Sequence, residues 1–236
     1  MPRPSLKKER RAAILRAFGD CVARFGVEGA TLERTAEAAN LARALIRHNV
    51  GNKDALLDAF IEHFLTQATA SVDELFEALP TRHRIDALID YVFDPEYVDE
   101  TEVRVTNALT MAAADRPALA RRLMTWTADF TARIAAELEH AFPGAAEDDI
   151  EAVATGIVAI YYNVDTVGPV GAVARLREAS VRAARLLGVG LGRAGRCGSV
   201  WRLPRGLRPL AMTADRRQSS RSSEANRWPF SLLDCR

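Results

Sequence analysis

Cysteine is scarce in this chain. Cys21, Cys197 and Cys235 are the only three in 236 residues, too few and too scattered for a disulfide framework or a zinc site, so a reducing cytoplasm is the expected setting. Long hydrophobic runs are missing as well. The longest apolar stretch, Val153 to Tyr162, is interrupted by Thr155 and Gly156 and falls well short of the roughly 20 residues that a membrane-spanning helix needs. No membrane contact is expected. Met1 to Leu6 contains proline and runs into a Lys/Arg-Glu cluster instead of an apolar core, so no secretion signal is expected either.

Catalytic signatures are equally thin. There is no Gly-rich phosphate loop and no Gly-x-Ser-x-Gly elbow, and His48, His63 and His83 lack metal-ligand spacing. Glu137 and His140 form a Glu-x-x-His pair, half of a di-iron bundle site, but no second copy accompanies it. Both are expected at the surface, and the chain is expected to be neither an enzyme nor a holder of metal or cofactor. An enzyme reading would require metal in the purified protein.

What is present is apolar content of 48%, enough for a buried core, and a net charge of only +1 that hides a strong asymmetry. Residues 1–53 hold 11 Lys/Arg against 5 Asp/Glu; residues 54–188 hold 11 against 23; residues 189–236 hold 10 against 3. A basic head on an acidic body suits a protein whose head alone touches a polyanion.

Helical periodicity runs through most of the chain, and no strand-period segment or internal repeat interrupts it, so the fold is expected to be all-α. Ile14, Phe18, Val22 and Phe25 make one apolar stripe over 7–25, closed by Gly26 and Gly29. Thr31 suits the N-cap of a second helix to Ala39, and Asn40 suits the left-handed turn that follows. A third short helix is expected from Ala42 to Asn49, and Asn52 can cap a long helix ending near Pro80. Further helices are expected over 82–93, from Asp94-Pro95, from Pro117 to Phe142, over 147–167 and over 170–187, with starts marked by Asp-Pro and Arg-Pro steps. From Gly188 the composition turns to Gly, Arg, Ser and Pro without period, which suggests a disordered basic tail.

Residues 29–57 are the most informative segment. Two short helices joined by a tight turn, then a break into a long helix, form the arrangement by which a small domain places one helix in the major groove of DNA. Thr35 and Ala36 are small enough to let the two helices approach. The second helix would offer Arg43, Leu45, Arg47 and His48 to DNA, where Arg can fork onto guanine or phosphate. Lys53 lies at a helix start, where backbone amides also favour phosphate, and Thr31 can add a hydroxyl contact.

This stretch resembles the N-terminal domain of the TetR family of transcriptional regulators, whose pattern is roughly Gly-x-x-x-Thr, Ile-Ala, Ala-Gly-Val-Ser, Gly-x-Leu-Tyr-x-His-Phe and Lys-x-x-Leu. Thr31 stands near the family Thr, Thr35-Ala36 for Ile-Ala, and Ala39-Asn40-Leu41-Ala42 for Ala-Gly-Val-Ser. Ala44, Ile46 and Arg47 stand for the Gly, Leu and Tyr, and Lys53-Asp54-Ala55-Leu56 matches Lys-x-x-Leu. Ala42 in place of Ser removes a cap and a phosphate contact; Arg47 in place of Tyr keeps the reach and charge to bind phosphate. Asn49-Val50 replaces His-Phe.

The resemblance implies residues 1–52 as the DNA-binding head, 53–188 as a helical body for ligand binding and dimerisation with 53–79 as connector, and 189–236 as the tail. It further implies a homodimer on a palindromic double-stranded DNA operator, released by a small-molecule effector, with the helices at 147–167 and 170–187 pairing between subunits. Tyr91, Phe93, Asn107, Met111, Trp126, Phe130, Tyr161 and Tyr162 are the candidate pocket residues, since aromatics with a few polar groups are what ligand pockets use. The acidic body favours a neutral or cationic effector. The competing reading is a helical adaptor whose basic head and tail bind nucleic acid without sequence preference, by counterion release alone.

Overall fold

The computed structural model describes residues 6–171 and 173–194, and among them all regular structure is helical. Three helices open the chain: α1 (Leu6–Gly29), α2 (Leu32–Ala38) and α3 (Arg43–Val50). Within α1 the backbone leaves helical geometry at Gly26, where φ is 69°. A side chain is disfavoured there; of the expected apolar stripe, Ile14, Phe18 and Val22 are buried, while Phe25 is exposed beneath the Arg34 guanidinium, 4.4 Å from its ring. The Thr31 hydroxyl accepts from the Arg34 amide at 3.3 Å and caps α2. Asn40 takes the left-handed conformation (φ 53°) that turns the chain into α3. Ala42, at the α3 N-cap, offers no side-chain bond.

The long helix α4 (Lys53–Ala78) starts under a cap from Asn52, whose Oδ1 accepts from the Ala55 amide at 2.8 Å. After it come α5 (Arg84–Val92), a short 3-10 turn at Pro95–Tyr97 capped by Asp94, and α6 (Glu100–Ala113) capped by Asp99. The helix expected from Asp94-Pro95 is therefore split, with two aspartates each starting a piece. Helices α7 (Pro117–Ala141), α8 (Glu147–Val167) and α9 (Ala174–Ala194) complete the body.

The core forms two clusters. In the first, Ile14, Phe18 and Val22 of α1 pack with Leu32, Ile46, Leu56, Phe60 and Ile61, and Phe18 meets the Phe60 ring edge-on at 5.3 Å. The second gathers Leu75, Phe76, Leu88, Ile89, Phe93, Phe130, Ile134, Leu138, Ile157 and Leu191. Helix α4 belongs to both, giving its first half to one and its last turns to the other. The first cluster does not stop at residue 52. Val105 and Leu109 of α6 and Leu119 of α7 are buried in it, so the body contributes directly to the packing of the head.

Helix α9 also crosses an expected boundary. It continues through Gly188 to Ala194, with Leu191 buried in the second cluster. The segment expected to be a disordered tail from 189 thus begins as helix; residues 195–236 lie outside the described residues. No helix among the described residues is long and apolar enough to cross a membrane.

Candidate functional site

The residues expected to meet DNA lie around the α2–α3 turn. Arg43, the first residue of α3, pairs with Glu33 of α2 at 2.7 Å, both side chains largely in solvent. Arg47 and His48 are exposed on the last turn of α3, while Ile46 between them and the turn before is fully buried in the head core. Leu45 is only half-exposed, and its carbonyl accepts from the Asn49 amide nitrogen at 2.7 Å. Thr31 is half-buried and its hydroxyl is already engaged as the α2 cap. The face of α3 that is open to solvent consists of Arg43, Ala44, Arg47 and His48.

Lys53 is not free. Its Nζ donates to the Glu28 carbonyl at 2.9 Å and lies 3.5 Å from the Glu28 carboxylate. The same carboxylate accepts from Arg116, in the turn between α6 and α7. The hydrogen bond and charge of Arg116, with the Lys53 ammonium beside them, hold the Glu28 carboxyl below the usual carboxylate range. Glu28 thus joins the end of α1, the start of α4 and the body. No pairwise sequence pattern signals this junction, since the partners stand 25 and 88 residues from Glu28.

In the body a cavity of about 290 Å³ opens between α4, α5, α6, α7 and α8, close to the lower end of ligand-pocket sizes. Six of the eight candidate pocket residues line it: Tyr91, Asn107, Trp126, Phe130, Tyr161 and Tyr162. Met111 does not. It shares a face of α6 with Asn107, but one turn later that face has passed the end of the cavity, and Met111 is 77% exposed. Phe93 is core, buried behind Tyr161 with its ring edge-on at 6.2 Å. The aromatic wall is continuous: Phe130 to Tyr161 at 6.1 Å, Tyr161 to Tyr162 at 5.5 Å, Tyr162 to Trp126 at 6.4 Å. Tyr91 and Tyr97 stack at 4.2 Å, both exposed.

Four carboxylates also line this cavity, Asp94, Asp99, Glu102 and Asp165, and the pocket candidates included none of them. Asp94 and Asp99 spend an oxygen each on capping backbone amides. Asp165 lies on the wall beside Tyr161. Burial pushes its carboxyl above the usual range, opposed by the Tyr161 hydroxyl and the charge of Arg177. Burial and the Asp165 charge push the Tyr161 hydroxyl upward in turn, and burial does the same to Tyr162, opposed by the Thr127 hydroxyl. A signal for Asp165 existed in the sequence: it follows Tyr161 by four residues, on one helical face.

Glu137 corrects an expectation. It is not a surface residue but the partner of Arg84, gripped at 2.7 Å by both Nε and Nη2. Arg84 further donates to the carbonyls of Phe76 and Leu79 at the end of α4, so the pair fastens α7 to the connector. His140 is exposed, and among the described residues no group of three or more His, Cys, Asp or Glu is arranged to hold a metal ion.

No protein-family model matches the chain. It is 28% identical over 149 residues to the HTH-type transcriptional regulator BetI of Paraburkholderia phytofirmans, covering 62% of this chain and 76% of that protein. It is 28% identical over 123 residues to BetI of Stenotrophomonas maltophilia, covering 51% and 63%. Among solved structures, a TetR-family regulator from Cytophaga hutchinsonii superposes with a TM-score of 0.65 at 17% identity, covering 80% of this chain and 98% of that one. A TetR-family regulator from Streptomyces coelicolor gives 0.64 at 15%, covering 78% and 90%. The structural neighbours are thus TetR-family regulators and the curated relatives are regulators of transcription, and neither supports the adaptor reading.

Proposed function

We propose that this chain, which has the fold of the TetR-family transcriptional regulators, is a homodimeric repressor that a small molecule releases from its operator. The observation that carries the reading is the division of labour on a single long helix. At its start, α4 packs into a head whose exposed α3 face bears Arg43, Arg47 and His48. Further along, Phe64, Ala68, Ser71, Val72 and Leu75 of the same helix line the cavity.

In this reading Arg47 and Lys53 meet phosphate, Arg43 and His48 reach base edges or phosphate, and Thr31 and Leu45 flank them. Lys53 would exchange Glu28 for the DNA backbone. Residues 1–52 act as head and 53–188 as body, with α9 running past that boundary. Tyr91, Asn107, Trp126, Phe130, Tyr161 and Tyr162 face the effector. The dimer uses α8 and α9. Leu176, Leu186 and Val189 of α9 remain exposed beside a shallow groove lined by Ile160, Asn163, Ala179 and Ala183, an apolar strip suited to a second copy.

Release is a matter of register. Successive major grooves lie about 34 Å apart, so a tilt of α4 that moves the two heads by a few ångströms costs contacts on both half-sites. An effector drives that tilt only by its difference in affinity for the two arrangements. Selection of duplexes from a random pool by the full-length chain tests the reading: recovery of one sequence with two inverted half-sites is expected. A pool with no shared sequence would overturn it in favour of non-specific binding.

A further inference from the structure

We infer that Glu33 is a positioning residue for DNA: it holds the Arg43 guanidinium so that its open edge meets a guanine in the major groove and not a phosphate. This rests on the head being a sequence-reading domain. Glu33 stands in the first turn of α2 and Arg43 is the first residue of α3, so the pair bridges the starts of the two helices. Arg43 Nη1 lies 2.7 Å from Glu33 Oε1. The carboxylate is itself held in place. It accepts from the amide of its own residue and from the Thr31 hydroxyl, and these bonds with the Arg43 charge keep it below the usual carboxylate range. Thr31 in turn accepts from the Arg34 amide, so one chain of contacts runs from the α2 cap to the guanidinium.

A negative charge among the residues that are to meet a polyanion needs a reason. Its value for stability is small, because both side chains are more than half in solvent. Its value against DNA is directional. The guanidinium carries five N–H groups in one plane. With Nη1 on Glu33, the edge made by Nε and Nη2 stays open, and its two N–H groups match O6 and N7 of guanine. A phosphate on that edge would approach the Glu33 carboxylate and be repelled, whereas a guanine edge brings no net charge. Arg47 supplies the contrast. It lies one turn further along the same face of α3, and among the described residues it has no ion-pair partner within 4 Å, which suits phosphate. The N-terminal residues of a recognition helix are also those that face base edges.

Selection of duplexes from a random pool by the full-length wild type and three variants tests this, followed by anisotropy titration onto the selected site and scrambled DNA at two salt concentrations. The wild type is expected to select an inverted site with a guanine in each half that Arg43→Ala no longer requires. Glu33→Gln is expected to relax the preference for that guanine about fivefold to tenfold. As the released Arg43 turns to phosphate, it should also bind scrambled DNA about twofold to fivefold more tightly, with a salt slope steeper by about one. Arg43→Lys keeps the charge without the fork; it should lose the guanine preference and hold scrambled DNA within about twofold of the wild type. Circular dichroism reports whether each variant is folded. An intact guanine preference in folded Glu33→Gln overturns the inference, as does an Arg43→Ala variant that weakens all sequences alike with a lower salt slope. A wild type that selects no shared sequence overturns the sequence-reading function and the inference with it; a shared site indifferent to Glu33 overturns the inference alone.

Discussion

The head and the body are built from the same helical materials and finished differently. In the head, Ile14, Phe18, Val22, Ile46 and Leu56 close a filled core with no exposure at all, and charge is left to the surface. In the body, the aromatic residues that would complete such a core stand apart around a cavity of about 290 Å³, with carboxylates on its wall. A filled core fixes one geometry, which is what the proposed DNA-reading helix requires. An unfilled one leaves its lining short of packing partners, so that a ligand can supply them and shift the arrangement. On the proposed function, the first region presents a helix and the second senses a ligand.

The contrast is most exposed to test by removing one aromatic from each region. Phe18→Ala is expected to cost about 3–5 kcal/mol, because the head cannot collapse around the missing ring. Trp126→Ala, at a wall that already borders empty space, is expected to cost less than half of that. Urea unfolding of the full-length chain measures both, and equal losses would erase the distinction. Next in size is the fastening between connector and body. Glu137→Ala should cost about 1–3 kcal/mol, below the figure for a fully buried pair because both partners retain some solvent contact. Arg84 holds the Glu137 carboxyl below the usual range. The pair therefore stabilises the fold above the ordinary Glu value of about 4.3 and loses that contribution as pH falls through the lowered one. The stability gap between wild type and Glu137→Ala should close in acid; a gap that persists there would assign the loss to packing.

Effects on DNA are smaller and separate the two ends of the head. Arg47→Ala and Lys53→Ala should each weaken operator and scrambled DNA alike and lower the salt slope by about one. A changed sequence preference with an unchanged slope would move that residue from phosphate to base. Smallest is Glu28→Gln, which loosens Lys53 and Arg116 together. Twofold to fivefold tighter DNA binding, about the scale of an exposed ion pair, is expected in anisotropy titrations; unchanged affinity would remove Glu28 as a link between body and head.

Features with a local cause were legible in the sequence. Thr31 and Asn52 cap the helices they were expected to cap, and Asn40 adopts the left-handed turn, because each of these depends on neighbours within four residues. Features with a distant cause were not. Glu137 looked like an exposed helix residue because Arg84 is 53 residues away. Met111 looked like Asn107 because periodicity reports a face and not where the neighbouring helices end. Gly188, Gly190 and Gly192 suggested a tail, yet α9 continues because Leu191 finds a buried place and Gly192 lies where a Cβ would come within 3.1 Å of Phe142. Tertiary contact there outweighs the low helix propensity of glycine.

The most direct measurement is fluorescence anisotropy of the full-length chain titrated onto the intergenic DNA beside its own gene and onto scrambled DNA, at two salt concentrations. A regulator with a sequence-reading head predicts strong preference for the native fragment, two protomers per site, and a preference that survives the higher salt. Equal binding to both DNAs that vanishes with salt would contradict it and leave only charge to explain the head.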